Sequence, residues 1–174
     1  LPLTSGQSAV AARGQAPVLR TVVRPRDAVQ WALYYPPVAY FRPSDFQGAE
    51  PWRLLVQKSL AAYYRGDYQA AFGAISKVPP DIREPRFFAY RAQLLLGVGR
   101  ADEASKDIER AMSLNPNYAE ALALQSIVAI VQNDQDRALQ VASKAVGADS
   151  KSATALVALS YAQQANFDLE GARL

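Results

Sequence analysis

The stretch ADEASKDIERAMSLNPN, Ala101 to Asn117, decides the fold. Ala104, Ile108 and Ala111 recur at helical spacing, which predicts an amphipathic helix over 101–113. Pro116 then blocks continuation, because proline lacks the amide hydrogen and clashes with the preceding turn. Upstream, Gly99-Arg100 reads as a turn, and before it residues 85–98 read as a first helix with Phe88, Leu95 and Leu96 apolar. The unit is therefore two short helices joined by a tight turn.

That unit recurs. At a shift of 34 residues Phe88, Leu122 and Leu156 align, as do Ala92, Ser126 and Ser160, and Ala104, Ala138 and Ala172. Ala111 aligns with Ala145, and Pro116 with Ser150. One more unit lies upstream at a shift of 33, pairing Leu55 with Phe88, Ser59 with Ala92 and Ala71 with Ala104, with a one-residue deletion near Val78-Pro79-Pro80. Turns are expected at Gly66-Asp67, Asn133-Asp134 and Asn166 to Asp168. Small residues such as Ala92 and Ala104 let paired helices approach, and neighbouring units bury each other's faces, so the units stack as a solenoid.

GDYQAAFGAI at 66–75 and ADEASKDIERAMSLNPN at 101–117 resemble the tetratricopeptide repeat (TPR), and the resemblance covers about 52–174. It departs from the family pattern where Leu55, Leu122 and Leu156 replace an aromatic residue, where Ser150 replaces a proline, and where the last unit stops at Leu174 inside its second helix. The implied fold is an all-α, right-handed superhelical solenoid of helix-turn-helix repeats, three full and a truncated fourth over 51–174, behind an extended, partly β-like N-terminal segment. The truncation implies further repeats in a parent protein, or self-association that covers the end. The resemblance also implies a non-enzymatic scaffold with a groove lined by the first helix of each pair. Its lining here would be Arg53, Gln57, Leu60 and Tyr64, then Arg86, Tyr90 and Gln93, then Glu120, Leu124 and Ile127, then Tyr161 and Gln164. Such a mixture of rings, amides and charges suits an extended or helical peptide. Chaperone-binding members grip a terminal carboxylate with Lys, Asn and Arg; Val56, Leu60, Tyr90, Glu120 and Leu124 stand at the matching places, so no such clamp is expected.

Composition agrees with a scaffold. The chain of 174 residues has a net charge of +3, no Cys and no His. Thiol nucleophiles, disulfides, cysteine-held metal and imidazole acid–base chemistry are excluded. Asp67, Asp102 and Glu103 fall in turns or first helical turns, where carboxylates cap backbone amides. Asn133-Asp134-Gln135-Asp136 lacks the glycine and the distal glutamate of a calcium loop. No phosphate-cradling or nucleophile-elbow motif occurs. No cofactor, no metal and no nucleic-acid partner is expected, and no apolar run reaches the roughly 20 residues of a membrane span. The arginines of 1–49, Arg13, Arg20, Arg24, Arg26 and Arg42, are scattered rather than clustered, which reads as solubilising charge.

The N-terminal part is different. Gly6, Gly14 and Pro17 break residues 1–23 into short β-like pieces, and Thr21, Val22 and Val23 suit a strand. The segment 24–50 is rich in rings and prolines. Val29, Trp31, Leu33 and Tyr35 would share one face of a strand; a short helix capped by Asp27 is the other reading. LTSGQSAVAARGQAPVLRTVVRPRDAVQWALYYPPV resembles the joint in bacterial proteins that carry a FecR-type β domain followed by TPR units, over about 1–40. That resemblance implies that 1–23 is the tail of an upstream β domain or a linker, and that the compartment is the periplasm or cell envelope, with the cytoplasm left open. The opening on LPLTSGQ without Met reads as a processed protein or an excised piece. Trp31, Leu33, Tyr34 and Tyr35 are large enough to cap the first repeat, while Pro36-Pro37, Pro43 and Pro51 stiffen the connection. The alternative is that the segment lies in the groove as an internal peptide mimic. For the whole chain, the expectation is a protein or peptide partner in the groove; a structural spacer or self-associating module without a groove ligand is the alternative.

Overall fold

The computed structural model describes residues 38–168 and 171–172, and the backbone of 7–10 and 18–21. Strands β1 (Gln7–Val10) and β2 (Val18–Thr21) pair antiparallel, with Gln7 opposite Thr21 and Val10 opposite Val18. The expected cap residues Trp31, Leu33, Tyr34 and Tyr35 lie outside the described residues. From Val38 an irregular segment runs to a single 3-10 turn at Pro43–Phe46, and then the described chain is all helical: α1 (Pro51–Tyr64), α2 (Tyr68–Ile75), α3 (Pro85–Leu96), α4 (Ala101–Leu114), α5 (Ala119–Val131), α6 (Gln135–Ala148) and α7 (Ala153–Ala165).

Local chemistry sets each boundary. Pro51 and Pro85 stand at the first helical positions of α1 and α3, where a missing amide hydrogen costs nothing. Asp67 accepts from the amide of Ala70, Asp134 from Arg137 and Ser152 from Ala155, which caps α2, α6 and α7. The four turns inside the repeats share one geometry. Gly66, Gly99, Asn133 and Phe167 adopt φ of 76°, 76°, 59° and 62°. The next amide, from Asp67, Arg100, Asp134 or Asp168, reaches back to the carbonyl of Ala62, Leu95, Ala129 or Gln163. This is the left-handed stop that ends a helix while satisfying its last carbonyls. Glycine enters that region freely and asparagine with little strain, whereas Phe167 pays a steric penalty there while 84% exposed.

The turns between repeats are alike in two cases. Asn115 and Asp149 each fold a side-chain oxygen onto the amide two residues on, at 3.1 and 2.9 Å. The connection after α2 differs: α2 has 8 residues where α4 and α6 have 14, and the proline-bearing loop 76–84 takes the place of its last turns.

Helices pack as α1 on α2, α3 on α4 and α5 on α6; α5 lies against α3 and α4, and α7 against α5 and α6. The result is an all-α solenoid of seven helices among the described residues. A side-chain bond recurs inside its repeats: Ser59, Ser126 and Ser160 each donate Oγ to the carbonyl twelve residues on, at Ala71, Ala138 and Ala172. The first two bonds tie the first helix of a pair to the second, and the third ties α7 to the turn residue Ala172. The second repeat has Ala92 at this place and holds its pair with a bidentate ion pair instead, from Arg91 to Asp107 at 2.7 and 2.5 Å.

Candidate functional site

The first helices α1, α3, α5 and α7 present one face, and the segment 38–46 lies along its N-terminal half. Phe41 and Phe46 are 3% and 0% exposed. Their rings stand 6.1 Å apart, and both meet the ring of Tyr90 edge-on, at 5.8 and 5.9 Å. Ala39 is buried beside them, and Val38 reaches the cluster of Leu122, Ile127 and Ala158 farther along the face. The turn that brings the two Phe together is fixed by Pro43 at its start and by Asp45, whose carboxylate accepts from the Arg42 amide at 2.6 Å.

Three side chains of the helices donate to main-chain carbonyls of this segment. Tyr64 reaches Phe41 O at 2.5 Å, Gln57 reaches Phe46 O at 2.9 Å, and Arg86 reaches Asp45 O at 2.6 Å. Tyr64 also meets a side chain of the segment, the ring of Tyr40, at 5.6 Å. All three were expected in the groove from their repeat positions. Tyr90 is on the same face but is a core residue, 1% exposed. Its hydroxyl lies 2.7 Å from Ser59 Oγ; because Ser59 gives its proton to Ala71 O, the phenol is the donor. Burial pushes the Tyr90 phenol above its ordinary range, with the Ser59 bond opposing, and burial likewise raises Tyr64.

The other expected groove residues are placed as follows. Arg53 stacks on Trp52 at 4.6 Å and pairs with Glu50 at 2.7 Å and Glu84 at 3.7 Å, so it holds the exit of the segment rather than an open surface. Gln93 is buried next to Tyr63, whose phenol is carried up to about 12, first by burial. The Gln93 Oε1 has no hydrogen-bond partner among the described residues. Ile127 is buried against α7, and Tyr161 packs half-buried on the same cluster. The face is thus filled at α1–α3 and closed at its apolar centre.

An open bay remains between the segment and α7. It is a cavity of about 290 Å³ with Tyr40, Arg42 and Asp45 on one side and Arg86, Tyr118 and Glu120 beneath, reaching Ser152 to Thr154 at the start of α7. Tyr118 lies against Arg86, and its phenol is raised first by burial. A second cavity of about 620 Å³ opens on the other side, over the shortened α2; its floor charges, Arg91 and Asp107, are spent on each other. Among the described residues no group of carboxylates could hold a metal, and no helix is long and apolar enough to cross a membrane.

Sequence reasoning missed the residues that fill the face: Ala39, Phe41, Asp45, Phe46 and Tyr118. The available sign was Phe41-Arg42-Pro43-Ser44-Asp45-Phe46, a proline–aspartate turn between two rings.

No family model and no curated protein matches the sequence. Solved structures do. The chain is similar to the TPR domain of Sgt2 from Aspergillus fumigatus, with a TM-score of 0.57 and 20% identity over 72% of this chain and 85% of that one. It is similar also to the first TPR of Spaghetti (RPAP3) bound to the HSP90 peptide SRMEEVD, with a TM-score of 0.56 and 18% identity over 67% of this chain and 93% of that one. At these identities the likeness establishes the fold: a TPR-type helical repeat.

Proposed function

We propose that the chain is a non-enzymatic protein–protein interaction scaffold whose α1–α3–α5–α7 face holds an extended peptide segment of a protein partner. One observation carries this reading: the face already holds a peptide segment, 38–46, irregular with one 3-10 turn, by rings at Tyr90 and by donors from Gln57, Tyr64 and Arg86 to main-chain carbonyls. Donors aimed at carbonyls hold any extended chain, while the ring pocket selects the side chains that enter. The track continues into the open bay toward α7, where Glu120 and the start of α7 are the groups a partner would meet.

The RPAP3 structure holds a peptide of HSP90. A chaperone tail is not the ligand proposed for this chain, because Val56, Leu60, Tyr90 and Leu124 are buried apolar or aromatic residues at the places where a carboxylate clamp would need cations. The resemblance of 1–40 to the FecR–TPR joint supports the periplasm or cell envelope as the setting of the partner.

The test is selection of peptides from a random displayed library on the intact chain, repeated on the double variant Glu120→Lys with Ala153→Arg. Ala153 is exposed and Glu120 half-buried on the bay, so the fold should tolerate both. The reading predicts aromatic-bearing extended peptides whose binding falls at least about tenfold in the variant, or about 1.4 kcal/mol. No peptide above background, with a concentration-dependent rise in mass by light scattering, would favour the self-associating spacer.

A further inference from the structure

We infer that residues 41–46 are an internal copy of the partner's binding motif, and that a partner reaches the N-terminal half of the face by displacing them. The inference rests on the groove reading above and names the ligand chemistry: two aromatic side chains five positions apart, enclosing a Pro and an Asp, as in aromatic-x-Pro-x-Asp-aromatic.

The geometry supports each part of that motif. The two rings must be brought together on Tyr90, at 5.8 and 5.9 Å, and a fully extended segment would hold them too far apart. The 3-10 turn at Pro43–Phe46 folds the second ring back beside the first. Proline fixes φ at the start of the turn, and the Asp45 carboxylate closes it on the Arg42 amide at 2.6 Å. The face then supplies three donors to carbonyls at the two ends of the motif, on Phe41, Asp45 and Phe46. The hydrogen bonds from the helices go to main-chain carbonyls, and the side chains of Arg42 and Ser44 are exposed, so those positions can vary most in a partner.

The way the segment is attached also fits exchange. It enters the face from one side and leaves through Gln47 to Glu50, an exposed loop. Tyr64 and Arg86, which hold it, are themselves only partly buried and could turn to a new carbonyl. A tethered segment acts at an effective concentration of millimolar order, so a free peptide competes poorly until the tether is cut. The N-terminal half of the face therefore answers to a partner that presents the same motif at high local concentration, and is silent to dilute peptides of that motif.

The experiment inserts a specific protease site between Gly48 and Ala49 in the full chain. The probe is a labelled peptide with the sequence of residues 38–47, VAYFRPSDFQ. Fluorescence polarisation follows its binding before and after cleavage, and circular dichroism follows the helices. The inference predicts that cleavage leaves the helices intact and strengthens peptide binding at least about tenfold. It predicts also that replacing either Phe of the peptide by Ala removes the gain. If the cleaved 1–48 fragment stays in place against excess peptide while the helices persist, the segment is a fixed wall and the inference fails. Unfolding on cleavage overturns it equally. Both results concern the cleaved chain, whereas the ligand of the bay is tested separately by the library selection on the intact chain and its Glu120→Lys, Ala153→Arg variant.

Discussion

The two halves of the solenoid fill the same positions with different matter. At the position of Tyr90 in α3, α5 has Leu124 and α7 has Ala158; at that of Phe87 they have Ala121 and Ala155. In the C-terminal half, alanines at 119, 123, 155 and 158 let α5 and α7 run close together, with Val38 of the segment reaching their cluster. In the N-terminal half, α1 and α3 do not approach in this way. Trp52, Phe87 and Tyr90 hold them apart, and the gap is filled by Phe41 and Phe46 from a segment remote in sequence. Side-chain size thus sets the spacing of the helices, and the spacing decides where a second chain can lie. One repeat architecture yields a tight stack at one end and a peptide-holding cleft at the other.

The largest expected effect comes from reversing that difference. Tyr90→Ala removes the ring on which both Phe rest and leaves Ser59 without its donor, so urea unfolding should show a loss of about 3–5 kcal/mol. The reciprocal Ala158→Tyr forces a ring where α7 meets α5 and should cost about 1–3 kcal/mol by overpacking. If Ala158→Tyr is neutral, the tight half is not tight.

Alkali should separate the halves next. Tyr63 is carried from its ordinary 10.0 to about 12 by burial, and Tyr64 and Tyr90 shift the same way. A phenol raised by folding stabilises the native state fully below the unfolded value, and that contribution is lost as pH rises from 10 through 12. Phenolate absorbance should therefore appear together with loss of helix in α1–α4. Ionisation of these phenols at ordinary pH with circular dichroism unchanged would contradict the buried placement.

Smaller effects probe what the halves share. Ser126→Ala removes one inter-helix bond and should cost about 1 kcal/mol in urea unfolding. Phe167→Gly relieves the left-handed strain of an exposed ring and should raise stability by about 1 kcal/mol, read as a small rise in melting temperature. Failure of the first would make the repeated serines incidental; failure of the second would place Phe167 in a contact that offsets its strain.

Much of the helical layout was legible because it is local. The 34-residue shift aligned Ala104 with Ala138, and Gly66, Gly99 and Asn133 marked turns that all need a left-handed residue. Phe167 in that conformation was not legible, since its side chain argues against it. The serines at 59, 126 and 160 read only as residues aligned with Ala92; their bonds to a carbonyl twelve residues on depend on the chain folding back on the first helix. The site was half visible. The resemblance put Gln57, Tyr64, Arg86 and Tyr90 on one face, yet only tertiary packing could show that Phe41 and Phe46 cover Tyr90 and that the other three bond to their segment. Weight fell on the rings of Trp31 to Tyr35, while Pro43 read as a stiffener rather than as the hinge of the turn that joins two Phe.

The most direct test is a double-mutant cycle in the full chain between Phe46→Leu and Tyr90→Leu, read by urea unfolding. The loss of the Tyr90–Ser59 bond is common to both arms and cancels, so the cycle isolates the ring-to-ring contact across the face. A coupling of about 0.5–1.5 kcal/mol is predicted for rings that meet edge-on. Additive losses, with no coupling, would mean that the segment does not lie on Tyr90, and that the N-terminal half of the face is not a cleft for a second chain.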